Sequence, residues 1–364
     1  MREAMTAGGW PRRWPGEAFI LALIAAVWAG FTPVWASQDS PALLGGSVSY
    51  STLPKDLTWE QAAPHVREVR IVSSADGSEQ PALFHDPGGE EKRPLLVALH
   101  SWSDNYRQTA GIPYALWAAR NGWVFIHPDF RGVNDKPQAT ASELAIQDIL
   151  DALEYAKRNA SIDESRVYLI GFSGGAMSAL VMAGRHPDLW TAVSAWVPVH
   201  DLNDWFRYNR RRHPERHYVA HIQASCGGAP WPGSGPARDC ARRSPSSHLQ
   251  GARGKDVRIQ IAVGVRDDFV PPSHSLRAFN ELASARDRFG REDMRLLDEQ
   301  GRLPPGPGPA VDDPADAGPA WPKVFERTSG NATLVLFDGK HDIYYAAGLH
   351  WLSRQVRPAA GAAD

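Results

Sequence analysis

Apolar residues in this chain fall into short blocks with two different periods. Two runs, Val66–Val72 and Pro81–His85, are strand-like and are joined by the turn Ala75-Asp76-Gly77. Six more are nearly continuous: Leu95–Leu99, Trp123–Ile126, Val167–Ile170, Ala192–Val197, Ile259–Val263 and Leu334–Phe337. Strands apolar on both sides are covered on both faces, as in a parallel sheet. Between these runs the period lengthens. Over Ala145–Asn159 the residues Ile146, Ile149, Leu150, Leu153 and Ala156 share one helical stripe, and Met177–Arg185 and Ser275–Arg286 follow a similar pattern. Strands alternating with helices predict a mostly parallel, doubly wound α/β sheet with helices on both faces. Ligands of such sheets bind beyond the carboxyl ends of the strands, which here carry His100, Asp129, Ser173, Pro198, Asp267 and His341.

Two stretches break the alternation. Residues 199–250 are rich in Arg, His and Trp and are expected to form a cap inserted over the sheet. Residues 301–322 are rich in Pro and Gly and predict a mobile surface loop without a core of their own. The catalytic domain is expected to span 64–355, preceded by a polar lead-in over 37–63 and followed by a disordered tail over 356–364.

The first residues have a different character. Arg12 and Arg13 precede the apolar stretch Ala18–Gly30, and Val34-Trp35-Ala36 ends in the small residue a signal peptidase needs before Ser37. This order predicts a cleaved signal over 1–36 and a secreted or periplasmic product, with no membrane association once the signal is gone. Only two cysteines follow, Cys226 and Cys240, and in an oxidising compartment that pair predicts a disulfide across a Gly/Pro-rich segment. Overall composition changes this picture little. The 364 residues are 43% hydrophobic, 22% charged and 10% aromatic, with a formal net charge of −2, which gives no reason to expect a nucleic-acid partner.

The chemistry concentrates at a few strand ends. Gly171-Phe172-Ser173-Gly174-Gly175 is a G-x-S-x-G sequence with a strand running into it and a small-residue helix leaving it, the context of a nucleophile elbow. A serine hydroxyl needs a base, and the base needs an orienting acid. His341 follows the last apolar run across a short Gly-containing turn and is the expected base. Asp267, in D-x-x-V-P, is the expected acid, with its neighbour Asp268 as the alternative and Asp342 as a nearby surface or supporting carboxylate. An oxyanion also needs donors. The backbone N–H of Gly174 is one, and that of Trp102 is the choice for the other, ahead of Ser101, with His100 structural beneath that loop. No cofactor or metal is required. His213, His217 and His221, spaced four apart, are read as part of a solvated basic face that could favour anionic substrates. Trp102, Trp205 and Trp231 are placed as cleft-lining candidates.

Taken in order, LLVALHSWSD, HPDFRG, VYLIGFSGGAMSAL, GVRDDFVP and FDGKHD resemble an α/β-hydrolase, and within that superfamily the catalytic domain of prolyl-oligopeptidase-like serine hydrolases. The resemblance extends from about Pro94 to Leu352 and implies the α/β-hydrolase fold, a Ser173-Asp267-His341 triad and hydrolysis through an acyl-enzyme. Asp129-Phe130-Arg131-Gly132 is similar to the family's D-x-R-G turn, which implies a structural, ion-paired Arg131. The oxyanion loop reads His-Ser-Trp where the family has His-Gly-Gly, and the residues ahead of the core are too few for the family's β-propeller. Both a peptidase and a carboxylesterase acting on carbohydrate-linked acyl esters are therefore open. The expected partner is a small ester, short peptide or glycan ester, with a non-catalytic binding protein as the reading from another class.

Overall fold

The computed structural model describes residues 41–302 and 321–358; the expected signal segment, most of the Pro/Gly-rich loop and the end of the tail lie outside the described residues. Among the described residues one sheet has nine strands, β1 (Arg67–Val72), β2 (Glu79–His85), β3 (Arg93–Leu99), β4 (Val124–Pro128), β5 (Ile162–Phe172), β6 (Ala192–Trp196), β7 (Arg258–Gly264), β8 (Lys323–Ser329) and β9 (Ala332–Phe337). Their spatial order is β1-β2-β4-β3-β5-β6-β7-β9-β8. The six strands from β4 to β9 in that order run parallel, while β1, β2 and β8 add antiparallel pairs at the two margins. Every residue of β4 and β6 is buried, so side chains on both faces of these strands are covered.

The covering helices are α1 (Ile112–Arg120), α2 (Glu143–Asn159), α3 (Gly174–Arg185), α7 (Ser273–Leu282) and α9 (Tyr345–Ser353). In α2 the stripe of Ile146, Ile149, Leu153 and Ala156 is buried, while Leu150 at its margin is half-buried. Ser142 caps its first turn by accepting the N–H of Ala145, and Lys157 and Arg158 lie at the negative end of its dipole. Three further helices, α4 (Leu202–Arg212), α5 (Tyr218–Cys226) and α6 (Gly235–Arg242), occupy the segment that breaks the alternation, and α8 (Arg291–Gln300) precedes the Pro/Gly-rich stretch. Cys226 at the end of α5 and Cys240 in α6 form a disulfide with a Cα–Cα distance of 5.4 Å. Leu249, at the end of the 199–250 segment, is fully buried, and the backbone of His248 lies against Gly184 of α3, so this stretch returns to the body before its expected boundary.

Several boundaries differ from the sequence pattern. α3 starts at Gly174 rather than Met177, because two glycines precede its first large apolar residue. α7 ends at Leu282, and Ala285–Asp287 forms a separate 3-10 turn after Ala283 leaves the helix. β8 has no counterpart in the pattern. Its residues are mostly half-buried or exposed, as expected of a strand at the edge of the sheet, so it lacks the apolar run that marks the inner strands.

Candidate active site

β5 lies at the centre of the sheet, and its last residue, Phe172, pairs with Trp196 of β6. Ser173 follows with φ 56° and ψ −117°, a left-handed conformation, and α3 begins at the next residue. Two backbone bonds hold it there: Ser173 N–H donates to Trp196 O at 2.9 Å, and Met177 N–H donates to Ser173 O at 3.0 Å. The turn is this tight because its flanks lack side chains. A Cβ on Gly171 would lie 2.4 Å from the carbonyl of Gly175, and one on Gly175 would lie 2.4 Å from Leu99 O.

β7 and β9 end side by side, with Gly264 paired to Phe337. The loops that follow bring Asp267 and His341 to Ser173. His341 Nε2 is 2.9 Å from Ser173 Oγ, and His341 Nδ1 is 2.7 Å from Asp267 Oδ2. The other carboxylate oxygen, Oδ1, accepts the N–H groups of Phe269 and Val270 at 2.9 and 3.0 Å. The Asp267 side chain has no exposed surface and that of His341 is 12% exposed. Each atom of this chain therefore has a defined partner, and the nitrogen facing the serine has only the hydroxyl. The adjacent carboxylate goes elsewhere. Asp268 is 56% exposed and paired with Arg216 at 3.1 Å. Asp342, one residue past the histidine, is buried rather than on the surface; it accepts the hydroxyl and N–H of Ser51, and so ties the 49–52 segment to the histidine loop.

The loop after β3 lies against the start of α3, beside Ser173. A Cβ on Gly174 would lie 2.7 Å from Trp102 N, so the two backbone groups expected as oxyanion donors are neighbours. Ser101 N–H is already committed to Gln108 Oε1 at 2.9 Å, which removes it as the alternative. Ser101 O faces His100 Nδ1 at 2.9 Å, and a planar trans peptide then directs the Trp102 N–H away from that ring. Asn134 holds the far side by donating to Trp102 O. His100 is 1% exposed, stacks on Phe130 at 4.0 Å and reaches Asp129 O at 2.7 Å, a supporting place under the loop.

Arg131 is ion-paired, as the resemblance implied. It donates to Asp148 at 2.5 Å and to Asp76 at 2.7 Å, joining the β1–β2 turn to α2. The two carboxylates hold its guanidinium more firmly protonated than usual, and burial pushes the Asp148 carboxyl up.

The tryptophans correct their expected place. Trp102 and Trp205 are 2% and 1% exposed and pack edge-to-face at 4.8 Å, so they underlie the site instead of lining an open cleft. Trp231 is 45% exposed, with Arg210 stacked on it at 4.2 Å. The histidines His217 and His221 are also not merely solvated: they meet the loop after β3, His217 Nε2 lying 2.8 Å from Ser103 Oγ and His221 Nδ1 accepting Trp102 Nε1–H at 3.3 Å. Burial, with His217 beside it, pushes His221 down from its usual range.

Sequence reasoning missed a set of contacts to the acid loop. Trp205 Nε1–H donates to Phe269 O at 2.8 Å, Tyr208 O–H to Asp268 O at 2.9 Å, and Arg216 to the same Asp268 O at 2.7 Å. It also missed Tyr50, whose ring lies 5.1 Å from Phe172. No local pattern marks these residues, since each acts on a segment far away in the chain.

With this geometry in hand, the family profile described as the prolyl oligopeptidase family of S9 peptidases matches residues 113–297, just over half of the chain. The chain belongs to the prolyl oligopeptidase family. Its fold is that of the α/β-hydrolases. Among curated proteins it is similar to feruloyl esterase B of Talaromyces stipitatus, 28% identical over 37% of this chain and 40% of that protein. It is also similar to acylamino-acid-releasing enzyme 2 of Oryza sativa subsp. japonica, 24% identical over 53% of this chain and 27% of that protein. Among solved structures, the acylaminoacyl peptidase of Pyrococcus horikoshii aligns with a TM-score of 0.52 at 14% identity, covering 82% of this chain and 43% of that one. The chain thus spans less than half the length of each of these three proteins, and the structural likeness bears on the fold alone.

Proposed function

We propose that Ser173, His341 and Asp267 act as nucleophile, base and orienting acid in the hydrolysis of an ester or amide bond. His341 Nε2 takes the Ser173 hydroxyl proton as the oxygen bonds to the substrate's carbonyl carbon. The N–H groups of Trp102 and Gly174 receive the oxyanion. His341 then gives its proton to the leaving alcohol or amine as the bond to it breaks. Water hydrolyses the acyl-serine by the same steps, releasing the acid and restoring the hydroxyl. Asp267, fixed by two backbone N–H groups, keeps the imidazole in the tautomer that faces the serine. The observation that supports this reading best is the continuous hydrogen-bonded chain from Asp267 Oδ2 through His341 to Ser173 Oγ.

The reading extends to a carboxylester as the first substrate to try, which the similarity to feruloyl esterase B supports, with a peptide bond as the alternative that the acylaminoacyl peptidase supports. A 4-nitrophenyl acetate assay beside a short peptide 4-nitroanilide separates ester from amide cleavage. Ser173→Ala is expected to remove labelling by a fluorophosphonate probe and to lower kcat by about 10⁶-fold, since a nucleophile acts as one unit with its base. Full activity of that variant on any ester or amide defeats the assignment.

We also propose that the chain is exported, which the order of charged, apolar and small residues over 1–36 and the Cys226–Cys240 disulfide support. N-terminal sequencing of the secreted protein should begin at Ser37; an intact N-terminus on purely cytoplasmic protein refutes it.

A further inference from the structure

His341 contacts two aromatic rings. Phe172, the residue before Ser173, and Phe269, two residues past Asp267, each lie 5.2 Å from it. The series continues outward in both directions. Tyr50 is 5.1 Å from Phe172, and Tyr218 of α5 is 6.4 Å from Phe269. All four spacings lie in the range where aromatic rings attract each other by offset or edge-to-face contact. Four different parts of the chain supply these rings around one imidazole: the 49–52 segment, the end of β5, the loop after β7, and α5.

Two of the four are also open to solvent. Among the described residues only six large apolar side chains are strongly exposed, and Tyr50 at 40% and Phe269 at 37% are two of them. Isolated exposed apolar residues need no explanation, but two exposed rings, one against His341 and the other linked to it through Phe172, mark a place where another apolar group can be received. Neither ring is loosely placed. Tyr50 is fixed because its N–H donates to Ile343 O at 3.2 Å and because the next residue, Ser51, is bound to Asp342. Phe269 is fixed by Trp205 on its carbonyl and by the Arg216 guanidinium stacked on its ring at 4.3 Å. Burial, with Asp104 and Asp342 nearby, pushes the Tyr50 phenol up, so it stays neutral as a wall of this cleft through the ordinary pH range.

We infer that Tyr50 and Phe269 form an aromatic slot beside Ser173 that selects substrates carrying a planar aryl group next to the scissile bond. The inference rests on the hydrolase reading above and deepens it by naming a substrate class. It gives the 49–52 segment, which has no chemistry of its own, the task of forming one wall of the slot. A flat ring entering between the two walls meets aromatic faces and edges on both sides. An alkyl chain of equal area gains its burial but not that geometry.

The test compares three esters at one pH: methyl cinnamate, with the aryl group on the acyl side; benzyl acetate, with it on the alcohol side; and methyl octanoate, apolar without a ring. Wild-type protein is expected to favour one of the two aryl esters over methyl octanoate by about tenfold or more in kcat/KM, the size of two aromatic contacts. The favoured ester identifies the side of the scissile bond that the slot serves. Tyr50→Leu and Phe269→Leu should each reduce that preference about threefold or more, and Tyr50→Phe should restore it. A wild-type protein that hydrolyses methyl octanoate as well as either aryl ester overturns the inference. So does a preference that survives both leucine variants. Fluorophosphonate labelling of Ser173, followed in parallel, separates the two levels: labelled protein without aryl preference refutes the slot alone, whereas unlabelled protein that cleaves no ester refutes the hydrolase reading beneath it.

Discussion

Ser173 sits in a backbone conformation that costs a non-glycine residue on the order of 1–3 kcal/mol. The cost is carried by its place between a central strand and a helix, with both its N–H and its C=O bonded. At the same scale, the adjacent carboxylates Asp267 and Asp268 have opposite surroundings, one wholly buried against the histidine and the other exposed on an arginine. Asp267→Asn should therefore lower kcat by about 10⁴-fold, because the amide cannot hold the imidazole in the required tautomer. Asp268→Asn loses one partly exposed ion pair, worth at most about 1 kcal/mol, and should stay within about fivefold of wild type. Steady-state kinetics of the pair decides between them; equal losses would mean that the two residues share the task.

At the scale of elements, the cap and the acid loop behave as one assembly. α4 contributes Trp205 and Tyr208, the following turn contributes Arg216, and all three act on the backbone of Asp268 and Phe269. The disulfide between α5 and α6 stiffens the same cap and should contribute roughly 3 kcal/mol through the unfolded chain. Arg216→Ala is expected to lower kcat about tenfold by loosening the loop that presents Asp267, while Arg216→Lys recovers little because a single ammonium cannot reach both oxygens and cover the Phe269 ring. An unchanged kcat and an unchanged pH profile for Arg216→Ala would show that the clamp does not reach the triad. These contacts were not legible in the sequence. Arg210, Arg211, Arg212 and Arg216 form one basic run, and nothing local distinguishes Arg216, the one paired with the acid loop, from the rest. The inner strands, in contrast, were legible to within two residues at each end, since burial on both faces leaves an uninterrupted apolar run. The exception is the start of β5, which begins at Ile162, five residues before its apolar run. β8 was not, because an edge strand keeps polar residues.

For the whole molecule, pH acts through histidines buried without charge. Burial pushes His127 of β4, whose Nδ1 lies 2.7 Å from Ala98 O, from its usual 6.5 to about 3, and His274 is lowered in the same direction. The folded chain leaves His127 neutral where the unfolded chain would take up a proton. Between about pH 6.5 and pH 3 the unfolded state thus binds more protons, so this contribution is full above pH 6.5 and is lost as the pH falls. Each such histidine adds a slope of up to about 1.4 kcal/mol per pH unit. Denaturation midpoints measured from pH 7 to pH 4 should fall less steeply in His127→Gln than in wild type, and an identical slope would refute the buried-neutral assignment. The division between sequence and tertiary structure follows the same physics. The alternation of strands and helices along the chain, the elbow at Ser173, and Asp267 and His341 as candidates were determined by the sequence alone, because covered strands and cramped turns admit few residue types; the order of the strands in the sheet was not. The choice of Asp267 over Asp268, the commitment of Ser101 N–H to Gln108, the burial of Trp102 and Trp205, and the aromatic walls around His341 were decided only in three dimensions. Each depends on which distant residue arrives at a given atom, and a chain records such meetings nowhere in its local pattern.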